Sequence, residues 1–200
     1  MELWQTWCMR MTENHENVVQ FHEVPQNIIY NVMIDNNCKD NFNIPTSIMV
    51  ITPEDDVKYC DKNKSVFLAG TIDNGDSVNW QKETINELLN LNVKDLDVYN
   101  PRREHWNSNA GADELERQIK WEQYHLDKAD VIAMVLLDDS KSPISLLEMG
   151  LYAKTGKLIV FCTPNFYRFD NVRLTCEKYG IELVQDLTPK VIAEKIYQKL

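Results

Sequence analysis

Two hundred residues, 44% of them hydrophobic, are enough for one domain with a full core and too few for two large ones. With 21 basic against 31 acidic residues the net charge is −10, which disfavours phosphate backbones and hence free nucleic acid, although one or two arginines can still grip a small anion. Cys8, Cys38, Cys60, Cys162 and Cys176 are odd in number and form no Cys-x-x-Cys pair, so neither a disulfide framework nor a zinc site is indicated and a reducing cytoplasm fits best. Met1–Gln5 lacks a basic region followed by an apolar run, and no stretch reaches the roughly 20 apolar residues of a membrane span, so secretion and insertion are both disfavoured.

In residues 1–62 the runs Ile28–Val32 and Ser47–Ile51 read as strands, separated by the polar loop Asp35–Asn41, with no strand and helix rhythm. This segment is expected to be an N-terminal extension packed on a core formed by residues 63–200. Ser65–Ala69, closed by Gly70, begins an alternating pattern. Trp80–Leu91 has helical spacing through Ile85, Leu88 and Leu89, and Leu96–Tyr99 is a strand stopped by Asn100-Pro101. A helix over about Ala112–Lys128 feeds the apolar run Asp130–Leu137, as expected of a strand buried on both faces. A helix opened by Ser142-Pro143 follows, then a strand Leu158–Cys162, a helix near Val172–Lys178, a strand Ile181–Val184 and a last helix after Thr188-Pro189. Such alternation predicts a doubly wound, mostly parallel α/β sheet.

Glu148 is the conspicuous residue. Ile144 and Leu151 share its helical face and Leu147 and Met149 flank it, so a carboxylate is expected in apolar surroundings, where ionisation is costly without donors. Ser145-Leu146-Leu147-Glu148 also matches a capping box, but Pro143 offers a better helix start and places Glu148 nearly two turns in. On the preceding helix Leu115, Ile119 and Leu126 form an apolar stripe whose fourth member is Glu122, unless that acid pairs with Arg117, Lys120 or Lys128 at the surface. Asp138 and Asp139 follow the central strand, where ligands of open parallel sheets bind, and are expected to converge with Glu148 and Glu122 on one crevice; alone they read as ordinary loop acids. Clustered carboxyls can divide into nucleophile and proton donor.

Gly70-Thr71-Ile72-Asp73 is no dinucleotide fingerprint, and a P-loop is absent. Arg102 and Arg103 after Asn100-Pro101 either hold a phosphate or carboxylate or are solvated loop charges. His15, His22, His105 and His125 show no metal spacing and read as structural or surface residues, and no metal or cofactor is implied.

Gly70-Thr71-Ile72-Asp73, Trp80-Gln81, Asn100-Pro101-Arg102-Arg103, Trp121-Glu122, Ala129–Ile132 and Pro143–Gly150, in that order, resemble the nucleoside 2-deoxyribosyltransferase-like family over about residues 65–186. The resemblance implies a flavodoxin-like fold and cleavage of N-glycosidic bonds of deoxynucleosides. It places Glu148 as the nucleophile, Glu122 where an aspartate contacts the base, and Asp138 or Asp139 near another substrate-contacting acid. Gly70, Thr71 and Asp73 would lie against base or sugar, and Trp80, Asn100, Arg102 and Arg103 would be further substrate-binding positions. Related enzymes hydrolyse nucleoside monophosphates with serines ahead of the nucleophile, a role kept open by Ser142, Ser145 and the Arg102-Arg103 pair. The expected protein is thus a cytoplasmic, homo-oligomeric deoxyribosyltransferase acting on a nucleoside or nucleotide. The alternatives are a monophosphate N-glycosidase and a non-catalytic nucleotide sensor whose segment 1–62 binds a partner.

Overall fold

The computed structural model describes residues 28–30, 48–55, 63–103 and 111–200. Cys8, Cys38, Cys60, His15, His22, His105 and the Asp35–Asn41 loop lie outside the described residues. Among the described residues seven strands form one sheet, β1 (Ile28–Tyr30), β2 (Ile48–Ile51), β3 (Lys64–Gly70), β4 (Leu96–Tyr99), β5 (Val131–Leu136), β6 (Leu158–Cys162) and β7 (Glu182–Val184). Their order is β1-β2-β4-β3-β5-β6-β7 and every pairing is parallel. The fold is therefore a doubly wound, flavodoxin-like α/β fold. β1 and β2 continue the sheet in its own plane at the β4 edge.

Five helices cover it: α1 (Trp80–Asn90), α2 (Ala112–Lys128), α3 (Pro143–Tyr152), α4 (Phe169–Tyr179) and α5 (Pro189–Lys199). Trp80, Ile85 and Leu88 of α1 and Ile192, Ala193 and Ile196 of α5 share a core with one face of the sheet. Leu126, Met149, Val172 and Cys176 of α2, α3 and α4 share the core on the other. β5, at the centre, is buried at all six positions, as its unbroken apolar sequence requires. Among the described residues no helix is long and apolar enough to cross a membrane.

Two helical faces differ from expectation. On α2 the buried residues are Gln118, His125 and Leu126, whereas Leu115 and Ile119 are 55% and 43% exposed. The helix is rotated from the expected stripe: Gln118 is buried in the same turn as exposed Ile119, and Trp121 packs on the core beside Leu126. On α3 the buried side chains are Ser145 and Met149, and Ile144, Leu147 and Leu151 are 59–65% exposed. Glu148 sits at the border between these two faces rather than inside an apolar zone. α4 also begins at Phe169, three residues ahead of the expected Val172, because Asp170 and Asn171 interrupt the apolar pattern without interrupting the helix.

The chain leaves β3 for β4 on one side and returns for β5 on the other, so the crevice of the fold opens over the carboxyl ends of β3 and β5. There Gly70 adopts a φ of 129°, and a Cβ at this position would collide with the Val135 carbonyl. Thr71 N–H donates to the same carbonyl (2.9 Å). Gly70→Ala should lower stability by more than about 2 kcal/mol, read as a shift in the urea midpoint. An unchanged midpoint would contradict this close approach.

Candidate active site

Side-chain hydroxyls tie the two lips of the crevice together. Leu137 N–H donates to Thr71 Oγ1 (3.0 Å), Thr71 and Ser142 hydroxyls bond at 2.7 Å, Ser142 and Ser140 at 2.9 Å, and Ser140 Oγ donates to Asp73 Oδ1 (2.8 Å). Counting protons fixes the direction of the chain. Ser140 gives its only proton to Asp73, so Ser142 must donate to Ser140, and Thr71 must then donate to Ser142. Each hydroxyl is committed. Ser142 N–H also donates to Ser140 Oγ (3.1 Å). The chain joins two non-glycine residues of positive φ, Asp73 (48°) and Ser142 (40°), conformations that persist only where surroundings enforce them.

Ser142 is the N-cap of α3 and Pro143 its first residue, so the helix starts where proline favours it. Glu148 lies more than a turn inside, which excludes the capping-box geometry. Its carboxyl is pushed up to about 8, first by burial and then by the negative charge of Glu122 on α2. Glu122 is itself raised by burial, opposed by a hydrogen bond from Gln118 Nε2 (2.9 Å) and by the positive charge of Arg103. None of Arg117, Lys120 and Lys128 is among the groups that set it, and Lys120 pairs instead with Glu116. The facing helices thus press two carboxyls into one partly dry place, where they resist ionising together.

The remaining expected residues fall into place around this pair with unequal parts. Arg102 spends its guanidinium on its own loop, Nη2 donating to the Gly75 (2.7 Å) and Ser77 (2.6 Å) carbonyls and Nη1 to Val78 O and Ser77 Oγ (both 3.2 Å). Asn100 Oδ1 accepts from Arg102 N–H (3.1 Å) and shapes that turn. Trp80 is 4% exposed and its Nε1–H donates to Thr71 O (2.9 Å), bracing the β3 lip from beneath. Asp138 is drawn towards β6 by Thr163 and by Asn165 Nδ2 (3.3 Å), and Asp139 is exposed. Neither is among the groups that raise Glu148, and the turn after β5 carries Asp138 towards Thr163 and Asn165. Ser145 is buried in the first turn of α3. His125 is neutral and structural: Nδ1 bonds to Trp121 O (2.7 Å), its ring contacts Tyr99 and Trp121, and burial lowers its pKa to about 4.

Three contributors were not singled out from sequence. Ser140 lies in a polar post-strand loop with no distinguishing neighbour. Glu114 pairs with Arg103 across a gap that sequence cannot measure. Gln118 was detectable, since a polar residue four positions before Glu122 on a helix is a ready partner. A separate cleft of about 340 Å³ between α3 and α4, lined by Leu146, Met149, Tyr167 and Asn171 among others, contains none of the site acids.

A family profile described as nucleoside 2-deoxyribosyltransferase like matches residues 63–166, which include β3 to β6 and both acids. The chain belongs to the nucleoside 2-deoxyribosyltransferase-like family. Membership supports a glycosyl-transfer or N-glycosidase role on a small nucleoside. No curated protein matches the chain. The first lip of the family's matched span is the Gly70–Asp73 turn, and its second is the loop leading into α3.

Glu148 carries a stability consequence whose sign is fixed by its raised value. Below its ordinary value of 4.5 both folded and unfolded forms are protonated and nothing is lost; between 4.5 and about 8 only the unfolded form ionises, so stability falls as pH rises. Glu148→Gln should therefore gain stability relative to the natural chain progressively over that window and hold a constant advantage above it. Thermal melts across pH 4–9 would show a flat difference if the carboxyl were ordinary.

Proposed function

We propose that the chain breaks the N-glycosidic bond of a 2-deoxynucleoside by double displacement, with Glu148 as nucleophile and Glu122 as proton donor. The observation that carries this is that both carboxyls are buried and raised above their ordinary range, Glu148 in part by the charge of Glu122. The proton that Glu148 retains at neutral pH must first pass to Glu122; the ionised Glu148 oxygen then bonds to C1′, the C1′–N bond breaks, and its electron pair goes to the base nitrogen, which takes the Glu122 proton. An acceptor base then attacks C1′, returns a proton to Glu122 and frees Glu148, retaining the anomeric configuration. Water in place of the acceptor gives the hydrolase, and product analysis with and without an added base separates the two.

Phosphorylated substrates are less well served, because Ser142 has committed its proton and Arg102 its donors. Gly70, Thr71 and Asp73 form the lip over the sugar and base, with Asp139 at the opposite rim. The division into a catalytic unit 63–200 and an edge extension 1–62 belongs to the same proposal, as does a homo-oligomer, which exposed Leu115 and Ile119 of α2 and Ile144, Leu147 and Leu151 of α3 support.

Incubation with a 2-deoxy-2-fluoronucleoside should add the fluorosugar mass to the peptide holding Glu148, and Glu148→Ala should lower base exchange on the order of 10³-fold or more. Unmodified protein together with undiminished exchange would reject the nucleophile. The proton that passes to Glu122 also fixes a pH profile: kcat/KM should fall above about pH 8 as the pair loses its last proton, and this limb should vanish in Glu122→Gln. A natural-chain profile that climbs to a plateau through pH 8 would contradict that transfer.

A further inference from the structure

Arg103 is the unexplained cation of the site. Its side chain is 5% exposed, and Nη1 pairs with Glu114 of α2. Nε and Nη2 are buried and make no hydrogen bond among the described residues. An unsatisfied buried donor is costly, and one on a charged group more so, so two together on one guanidinium edge call for a ligand that supplies two acceptors. The neighbours tell where the guanidinium lies. Glu114, Gln118 and Glu122 are spaced by four along α2, the first paired with Arg103 and the last lowered by its charge. Arg103 therefore stands beside the proposed proton donor.

The occupant follows from charge and geometry. Glu114 already neutralises Arg103, and Glu122 and Glu148 are nearby, so a further anion would meet carboxyls on two helices. Two neutral acceptors side by side on one planar edge meet the fork without that repulsion. Resting on the N-glycosidic reading above, we propose that Arg103 turns its Nε–Nη2 edge into the crevice to receive a nucleobase that presents two adjacent acceptors. Guanine and hypoxanthine do so through O6 and N7, and cytosine through O2 and N3. Adenine pairs each acceptor on that edge with an amino group, and thymine places an N–H between its carbonyls, so neither fits. The same contact stabilises the negative charge that spreads over the departing base as the C1′–N bond breaks, so Arg103 serves specificity and leaving-group stabilisation together.

The test uses the full chain and four probes blocked at the glycosidic nitrogen, 9-methylhypoxanthine, 1-methylcytosine, 9-methyladenine and 1-methylthymine, titrated calorimetrically. The first two should bind roughly tenfold to a hundredfold more tightly than the last two. Arg103→Lys, which keeps the charge for Glu114 but not the two-donor edge, should remove that preference. A 7-deaza analogue of 9-methylhypoxanthine should lose most of the advantage in the natural chain, a comparison that needs no variant. Equal affinity for all four probes would overturn the inference, as would a preference that survives Arg103→Lys. Binding of inorganic phosphate that is lost in Arg103→Lys, in place of any base preference, would overturn it in favour of an anion site. Base preference with no turnover of any nucleoside would sustain this inference and remove the N-glycosidic reading, whereas turnover without base preference would do the reverse.

Discussion

At the carboxyl end of β3, Gly70 has no side chain and its backbone lies against Val135, so β3 and β5 stay in contact to their last residues at the point where the chain changes direction across the sheet. Thr71 then reaches the Val135 carbonyl with its N–H and the Leu137 N–H with its oxygen. The loop into α3 hangs from that threonine through Ser142. Since Ser142 begins α3, the hydroxyl chain sets both the start and the rotation of the helix, and with them the side towards which Glu148 points. A β-branched residue at position 70 would part the strands and release the whole arrangement.

Electrostatics above the sheet follow from that placement. Burial alone raises either glutamate, and their proximity raises Glu148 further, because each negative charge opposes the other in a medium that screens poorly. Arg103 does not cancel the effect, since part of its charge is already answered by Glu114. The outcome is a pair of carboxyls that resist ionising together, a state suited to two-role chemistry. The protein bears the expense in stability, because two side chains that would ionise freely in water are held where they cannot.

Much of this was readable from residue order. The apolar run before Leu137 could only be a central parallel strand, and Pro143 marked the start of α3 so that Glu148 had to lie inside the helix. What sequence concealed depended on distance. The outward turn of Leu115 and Ile119 reflects the rotation of α2 that brings Gln118 and Trp121 to the core, which periodicity does not encode. Arg102 looked like a free phosphate grip because its partners are main-chain carbonyls of residues 75, 77 and 78, invisible as side-chain types. Asp138 and Asp139 stood close to Glu148 in sequence, yet a turn after β5 carried Asp138 to Thr163 and Asn165. Glu122 and Glu148, 26 positions apart, meet because the crossover of a parallel sheet places α2 and α3 on one face.

α2 and α3 hold Glu122 and Glu148 so that the charge of one raises the carboxyl of the other. Carbon-13 NMR titration of the side-chain carboxyls in the natural chain and in Glu122→Gln tests it directly. The account predicts that Glu148 titrates near pH 8 and moves clearly downwards once the Glu122 charge is removed, remaining above its ordinary value because burial persists. Titration of Glu148 near 4.5 in the natural chain, or a midpoint that Glu122→Gln leaves in place, would contradict it.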